Sequence, residues 1–373
     1  MTPSSDALLF LIRLALGKGH SVSLPNAVSW QEVYELSLNQ GVCALCGGVV
    51  AQQGETLNVE EDLRYVWLGQ KMVQEKEYEL YRAAVRHLSD FYAKQGIRMV
   101  LLKGLGLSFD YPNPTLRPCG DIDVYLMSGG KGVWNYGDKL IEEKLGIKVD
   151  NSHHHHSVFL FEGWTVENHY DFINVHSHRS NKRIDSLFKA LMTTGDVTDV
   201  TDKETTIGIP SPDFNALFLA RHAAIHFAAE RLTLRHLLDW ALFVSNHHRR
   251  VDWDNFWREA EKMNMHKFVL CVNAIAVQDL GFDEADFHIP SKYGLFPEKH
   301  QTLMNQVRND IWHPRINDLT KGLGRLYVVG RLKLWWANRW KHRIVYSDTL
   351  VGTFFVQIGS HLMKPSTLRR SAV

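Results

Sequence analysis

Cysteine is scarce in this chain, with four among 373 residues. So few cannot staple a chain of this length together, which argues for a reducing compartment and a cytoplasmic setting. An excess of either charge is also missing. Lys and Arg number 42 against 41 Asp and Glu, a formal net charge of +1. That balance argues against a long nucleic acid as partner, because domains that bind one usually carry a strong basic excess. Long apolar runs are absent too, and nowhere do the ~18 consecutive apolar residues that mark a membrane span occur. The apolar run 7–16 is broken by Arg13 and follows no basic segment, so it fits an amphipathic helix better than a signal peptide.

Several familiar motifs are lacking. There is no Gly-x-x-x-x-Gly-Lys-Ser/Thr phosphate loop, and Gly104-Leu-Gly106 does not complete a dinucleotide fingerprint. This disfavours a P-loop kinase and a nicotinamide-dependent enzyme. Neither His-Glu-x-x-His nor a His-Asp dipeptide occurs, which removes the simplest metalloprotease and His-Asp phosphohydrolase readings. What remains, at 45% hydrophobic and 22% charged residues, is ordinary globular composition. The length suggests roughly two or three domains.

Residues 7–95 carry helical periodicity, with stripes at Leu8, Leu9, Ile12 and Leu16 and again over 30–38. A long charged helix is expected from about 60 to 94, capped by Gly96. The pattern then changes. Residues 97–102 and 120–127 read as buried strands, and 129–132 as a turn. A helix over 133–145 follows, then strands over 158–161 and 164–173 joined by a hairpin at Glu162–Gly163. The polar stretch 193–206 reads as a linker. Helices return over 213–225, 232–244, 256–279 and 323–345. The expected class is α+β, a small mixed sheet flanked by two helical regions, divided as 1–95, 96–206 and 207–373.

Residues 99–126 hold the chemistry. Asp121 and Asp123 alternate on one strand, so their carboxylates share a face ~6–7 Å apart. At an effective dielectric of ~20 they repel by roughly 2–3 kcal/mol, a cost that a bridging cation removes. Oxygen ligands alone favour Mg²⁺ or Mn²⁺ over zinc. Upstream, Lys103-Gly104 ends the first strand. There a glycine lets backbone N–H groups approach a phosphate, and a following helix start favours anions. Lys103 and Arg117 are the cations available to clamp such phosphates.

Leu102-Lys-Gly104, the short helix ending at Tyr111-Pro112, and Leu116-Arg-Pro-Cys-Gly-Asp-Ile-Asp-Val124 resemble a family of uncharacterised bacterial nucleotidyltransferases. That family belongs to the DNA polymerase β-like superfamily. The resemblance implies that Asp121 and Asp123 hold the metal ions of a bound nucleoside triphosphate. It also implies that Glu167, in Val166-Glu-Asn-His-Tyr170, is the third carboxylate, since the family shows an acidic-x-His pattern there. On a strand Glu167, His169 and Asp171 share a face, which agrees. Gly104 and Gly120 would border the nucleotide. The wider superfamily has Gly-Gly or Gly-Ser at the first turn, whereas this chain has Gly104-Leu105, leaving Lys103 to grip the triphosphate. Weaker similarity reaches 222–226 and 234–244, a His-containing helix followed by an Asp-bearing one.

Other features have plainer readings. Cys43-Ala-Leu-Cys46 lies in a small-residue helical run with no partner at metal spacing, so a structural role is expected. His153–His156 could bind a transition metal, but all four cannot converge if the run is extended, whereas a loop would permit it. Adventitious or no metal binding is favoured, with substrate contact near the active site as the chief rival. His222 and His226, four apart on one helix face, have a spacing that can bind zinc. With Arg221 they are read instead as lining a substrate cleft, to which His169 is also assigned, or as satisfying core hydrogen bonds. Residues 321–343 carry seven Lys and Arg, no acidic residue, and Trp335, Trp336 and Trp340. A helix packed on the body is favoured there over peripheral membrane or nucleic-acid contact. The resulting expectation is an enzyme that transfers a nucleoside monophosphate from an NTP to an unidentified acceptor hydroxyl. The alternative is a catalytically inactive nucleotide- or partner-binding module of the same fold.

Overall fold

A computed structural model describes residues 2–18, 24, 27–129, 131–203, 205–229, 231–294, 299–313, 333 and 335–363. The N-terminal helices follow their capping signals. Helix α1 (Pro3–Ala15) opens on Thr2, whose hydroxyl accepts from the Ser5 N–H at 3.2 Å, with Pro3 in the first turn. Helix α2 (Trp30–Asn39) opens on Ser29, and α3 (Cys43–Gln53) packs against α4 (Glu61–Ala93). Gly47 makes that approach possible, because a Cβ there would lie 3.1 Å from the Trp67 ring. The Trp67 indole N–H in turn donates to the Cys43 carbonyl at 3.1 Å. Cys43 and Cys46 are buried free thiols of α3.

Helix α4 has 33 residues, about 50 Å of rise, and ends before Gly96 at φ +71°. Strand β1 (Arg98–Leu101) leads through Gly104 and the one-turn helix α5 (Leu105–Ser108) to β2 (Ile122–Ser128). A two-residue strand β3 (Lys131–Gly132) pairs with β2, and α6 (Trp134–Leu145) follows. Strands β4 (His156–Phe161) and β5 (Trp164–His169) form a hairpin whose turn residues, Glu162 and Gly163, both have positive φ.

Residues 193–206 correct the expectation of a linker. Helix α7 (Asn181–Thr194) runs into them, and β6 (Thr198–Asp202) and β7 (Thr205–Ile209) form a hairpin that joins the sheet. The polar side chains that disguise these strands are satisfied by other elements. Asp202 pairs with Arg82 and Arg86 of α4, Thr205 bonds Asp90 at 3.1 Å, and Asp199 meets Arg98 at 2.5 Å. The resulting mixed sheet has the order β4-β5-β2-β1-β7-β6, with β2–β5 and β1–β7 parallel.

The helices beyond are α8 (Pro212–Ala229), α9 (Leu234–His247), α10 (Trp253–Lys262) and α11 (His266–Leu280). The single helix expected over 256–279 is therefore two. Asn264 adopts φ +58° between them, the left-handed stop that asparagine tolerates. Further helices span Gln301–Trp312, Arg339–Val345 and Leu350–Met363. Most of the basic run 321–343 lies outside the described residues. Of the part within them, Lys341 is fully buried and bonds Asp310 at 2.7 Å, while Trp336 is exposed. No helix among the described residues is long and apolar enough to cross a membrane.

Strand alternation divides the core. Ile122, Val124 and Leu126 of β2 and Val166 of β5 pack with Tyr81, Val85 and Leu88 of α4. The opposite face packs on the helices, with Tyr125 4.8 Å from Phe172 in a cluster shared with α8 to α11. Asp123 and Glu167, being odd-numbered neighbours of the first set, project to that second face.

Candidate active site

Asp123 and Glu167 are register partners across the parallel β2–β5 ladder, which sets their carboxylates side by side. His169, two residues further along β5, joins them. Its Nε2 lies 3.1 Å from Asp123 Oδ1 and 3.5 Å from Glu167 Oε2. The ligand atoms of all three residues fall within 4.8 Å of one another, a spacing that one cation can span. Lys103 approaches from the end of β1, its Nζ 2.8 Å from Asp123 Oδ1.

Two cations around a buried carboxylate decide its charge. Burial alone would raise Asp123, but the Lys103 ammonium and His169 outweigh it and hold the carboxyl well below its usual range. Burial likewise opposes charge on His169, yet its bonds to Asp123 and Glu167 raise it to about 9. The site therefore carries its own positive charge on Lys103 and His169. Asp121 stands just before β2, exposed, and is not part of the Asp123–Glu167–His169 triangle. Its pKa is raised, first by partial burial and then by the neighbouring Glu167 and Asp123.

Gly104 and Tyr81 set the turn beneath this cluster. Gly104 has φ +63° and ψ −118°, and a Cβ on it would lie 2.2 Å from the Tyr81 hydroxyl oxygen. Tyr81, fully buried, donates that hydroxyl to the Asp121 carbonyl at 3.1 Å. Glycine is thus required on both conformational and steric grounds. Helix α5 behind it is a single turn, so the dipole contribution expected from a helix start there is small.

Arg117 has a partner of its own. It is buried and makes a bidentate pair with Asp239 of α9, at 2.8 Å from Nε and 2.9 Å from Nη2. Its Nη1 donates to the Gly104 carbonyl at 3.1 Å. Tyr111 adds its hydroxyl to the same Asp239 oxygen at 2.8 Å. Arg117, read from sequence as a phosphate clamp, has its guanidinium engaged in tying the Gly104 turn to α9.

A cleft of about 190 Å³ opens between the strand ends and helices α8 and α9. It gathers Lys103, Gly104, Arg117, Gly120, Asp121 and Asp123 from the sheet side. His222 and His226 face them from α8, with Arg235, His236 and Asp239 from α9. Arg221, adjacent to His222 in sequence, is not among them. It is buried on another side of α8, bonded to the Val345 carbonyl at 2.7 Å and to Asn181 at 3.0 Å. Burial, helped by Lys103, keeps His222 well below the usual histidine value, and burial with Arg235 brings His236 down to about 3. At His222 and His236 the α8–α9 wall therefore presents neutral imidazoles, which can both donate and accept hydrogen bonds.

Asp239, His236, Arg235 and Tyr81 were not singled out by sequence, whereas His156 entered only as part of the run His153–His156. The Asp-bearing helix of the resemblance pointed to the right segment for the first three but not to the residues. Tyr81 gave no local sign, being one of many apolar positions of α4.

Neither a curated protein nor a solved structure matches the chain. A family model described as an uncharacterised nucleotidyltransferase matches residues 26–281, more than half of the chain and a span holding the whole cleft. The chain therefore belongs to the uncharacterised nucleotidyltransferases, a family whose general chemistry is nucleotidyl transfer.

Proposed function

We propose that this chain is a metal-dependent nucleotidyltransferase of the polymerase β-like kind, moving a nucleoside monophosphate from an NTP to an acceptor hydroxyl. The observation that carries the reading is the meeting of Asp123 and Glu167 in one ladder register, opposite Lys103 at the Gly104 turn. The donor set suits a hard divalent ion. Asp121 and Asp123 would hold one Mg²⁺ or Mn²⁺, and Glu167 with Asp123 a second. Bound there, such ions neutralise phosphate charge and lower the pKa of an attacking hydroxyl.

The protein groups have separate tasks. Lys103 leaves Asp123 for the triphosphate when nucleotide and metal arrive, exchanging one anionic partner for another. Gly104 and Gly120 border the same phosphates without side chains to obstruct them. Glu167 takes the acceptor proton as the acceptor oxygen bonds to the α-phosphorus. The bond from that phosphorus to the bridging oxygen then breaks, and pyrophosphate leaves. Arg117 acts on the turn rather than on phosphate, through Gly104. The cleft, at about 190 Å³, is smaller than the ~300–1,000 Å³ usual for a small-molecule pocket. It suits the polyphosphate and the reacting hydroxyl, with the base and the rest of the acceptor outside it. His222 and His226 would contact the acceptor, and His169 orients Asp123 and Glu167.

Calorimetric titration with each NTP and Mg²⁺ tests the binding half of this reading. The doubly substituted Asp121→Asn, Asp123→Asn chain is expected to lose NTP binding, and unchanged affinity would sink the assignment. Labelled NTPs incubated with the protein and a cell lysate test the transfer half. Label appearing in a discrete product, with pyrophosphate release, supports catalysis, whereas binding without either supports an inactive module.

A further inference from the structure

Three of the site's buried nitrogens are left over. His155 Nδ1 and both ring nitrogens of His156 have no hydrogen-bond partner among the described residues. His156 is only 5% exposed, so bulk solvent barely reaches it. A buried polar atom without a partner costs roughly 1–3 kcal/mol, and native proteins rarely carry several in one place. These do not lie at random. The ligand nitrogens of His155, His156 and His169 come within 4.8 Å of one another, and His156 Nδ1 is 3.5 Å from Glu167 Oε2.

The backbone explains how consecutive histidines can meet. His156 begins β4 opposite His169 in the hairpin register, while His155 precedes the strand and is freed from strict alternation. His155 and His156 ring centroids lie 4.2 Å apart, and those of His156 and His169 5.2 Å apart. His169 is oriented as a ligand should be. Its Nδ1 sits 3.3 Å from the Asp171 carbonyl, an outer contact that leaves Nε2 directed into the cluster.

We propose that His155, His156 and His169, with Glu167 as the fourth ligand, form a transition-metal site that takes Zn²⁺. Three imidazoles and one carboxylate match the nitrogen-rich tetrahedral preference of zinc and differ from the oxygen-only set that suits Mg²⁺. At Zn–N distances of ~2.1 Å the ligand nitrogens would stand roughly 3.4 Å apart, so the side chains close by about 1 Å on the ion. Binding at Nε2 of His169 displaces the proton that this nitrogen shares with Asp123 and Glu167. The ion takes up His155 Nδ1 and one ring nitrogen of His156, ties the 153–156 bend to β5, and fixes Glu167 beside Asp123. The inference does not require nucleotidyl transfer, since the ligands are defined without a nucleotide. Because zinc engages Glu167, the zinc-loaded chain does not use that residue as the base of the transfer.

The test uses the full, untagged chain carrying His222→Ala and His226→Ala, which removes the other histidine cluster. After Zn²⁺ loading and dialysis, one zinc per chain is expected, with X-ray absorption showing a first shell of mainly nitrogen. An oxygen-dominated shell, or no retained zinc, overturns the proposal. In the same background His156→Phe preserves ring volume and is expected to abolish zinc retention. It should also abolish the rise in Tm that zinc gives the parent, without lowering the metal-free Tm. Zinc held equally well by His156→Phe overturns the assignment, and the absorption result on the parent decides the matter if that variant does not fold. Adding Asp121→Asn separates the two readings: NTP binding should fail while zinc is retained.

Discussion

Arg117 and Asp239, 122 positions apart in the chain, meet in a buried bidentate pair at 2.8 and 2.9 Å. The pair joins the loop before β2 to α9, and through the Gly104 carbonyl it also holds the turn that presents Lys103. Removing one partner strands the other as a buried charge, which typically costs 3–5 kcal/mol. Asp239→Ala should lower stability by about that amount in urea unfolding. Replacing both residues together, Arg117→Met with Asp239→Leu, should recover much of the loss, because no uncompensated charge remains. A double variant as unstable as the sum of the single ones would show that the pair contributes little coupling.

The same pair predicts how stability responds to acid. Burial favours the neutral form of Asp239, but the Arg117 guanidinium outweighs this and keeps its carboxyl below the ordinary range. A carboxyl depressed in the folded state contributes stability that is complete above its unfolded value, ~3.9. That contribution is lost as pH falls through the lower folded value. The stability gap between wild type and Asp239→Asn should therefore stay constant from neutral pH to about 4 and narrow below it. Urea titrations at pH 7, 5 and 3 check this, and a gap that widens on acidification would reverse the sign of the argument.

Gly104 tests the turn itself. Gly104→Ala adds a methyl 2.2 Å from the Tyr81 oxygen at φ +63°, so it meets both overlap and backbone strain. Strain of this kind costs on the order of 1–3 kcal/mol before the clash is counted. Tyr81→Phe removes the clashing oxygen and also the bond to the Asp121 carbonyl. In the Tyr81→Phe background the Gly104→Ala penalty should shrink toward the backbone strain alone. Denaturation of the four chains gives the coupling, and a penalty identical in both backgrounds would remove Tyr81 from the account.

What sequence could reveal followed from how local each determinant was. The strands β1 and β2 were legible because their apolar runs are short and bounded, and Asp123 stood out as a charge inside one of them. Hairpin β6–β7 was not legible, since Asp199, Asp202 and Thr205 look like loop residues until Arg98, Arg82, Arg86 and Asp90 are brought to them. The break at Asn264 was visible in principle, but the apolar periodicity on both sides concealed it. Arg117 shows the limit most clearly. Its proximity to Asp121 suggested phosphate, while its partner sits on a helix that no local pattern connects to it. The histidine run can converge only where it is not extended, and His155 meets that condition because the strand begins only at His156.

Lys103 gives the sharpest separation between metal and nucleotide effects. Its ammonium lies 2.8 Å from Asp123 Oδ1, half-buried, in the position a cation would take beside that carboxylate. Lys103→Met keeps most of the stem and removes the charge. If Lys103 transfers to the triphosphate, its loss removes a charge-assisted bond worth ~1.5–3 kcal/mol, so NTP affinity should fall by roughly 10- to 100-fold. Mg²⁺ or Mn²⁺ measured without nucleotide should behave oppositely, binding more tightly because Asp123 no longer carries a competing cation. Calorimetry of the two ligands on the same variant checks both signs. Weakened binding of metal and nucleotide alike would mean that Lys103 only supports the fold around Asp123, and stronger NTP binding would remove it from the phosphate site.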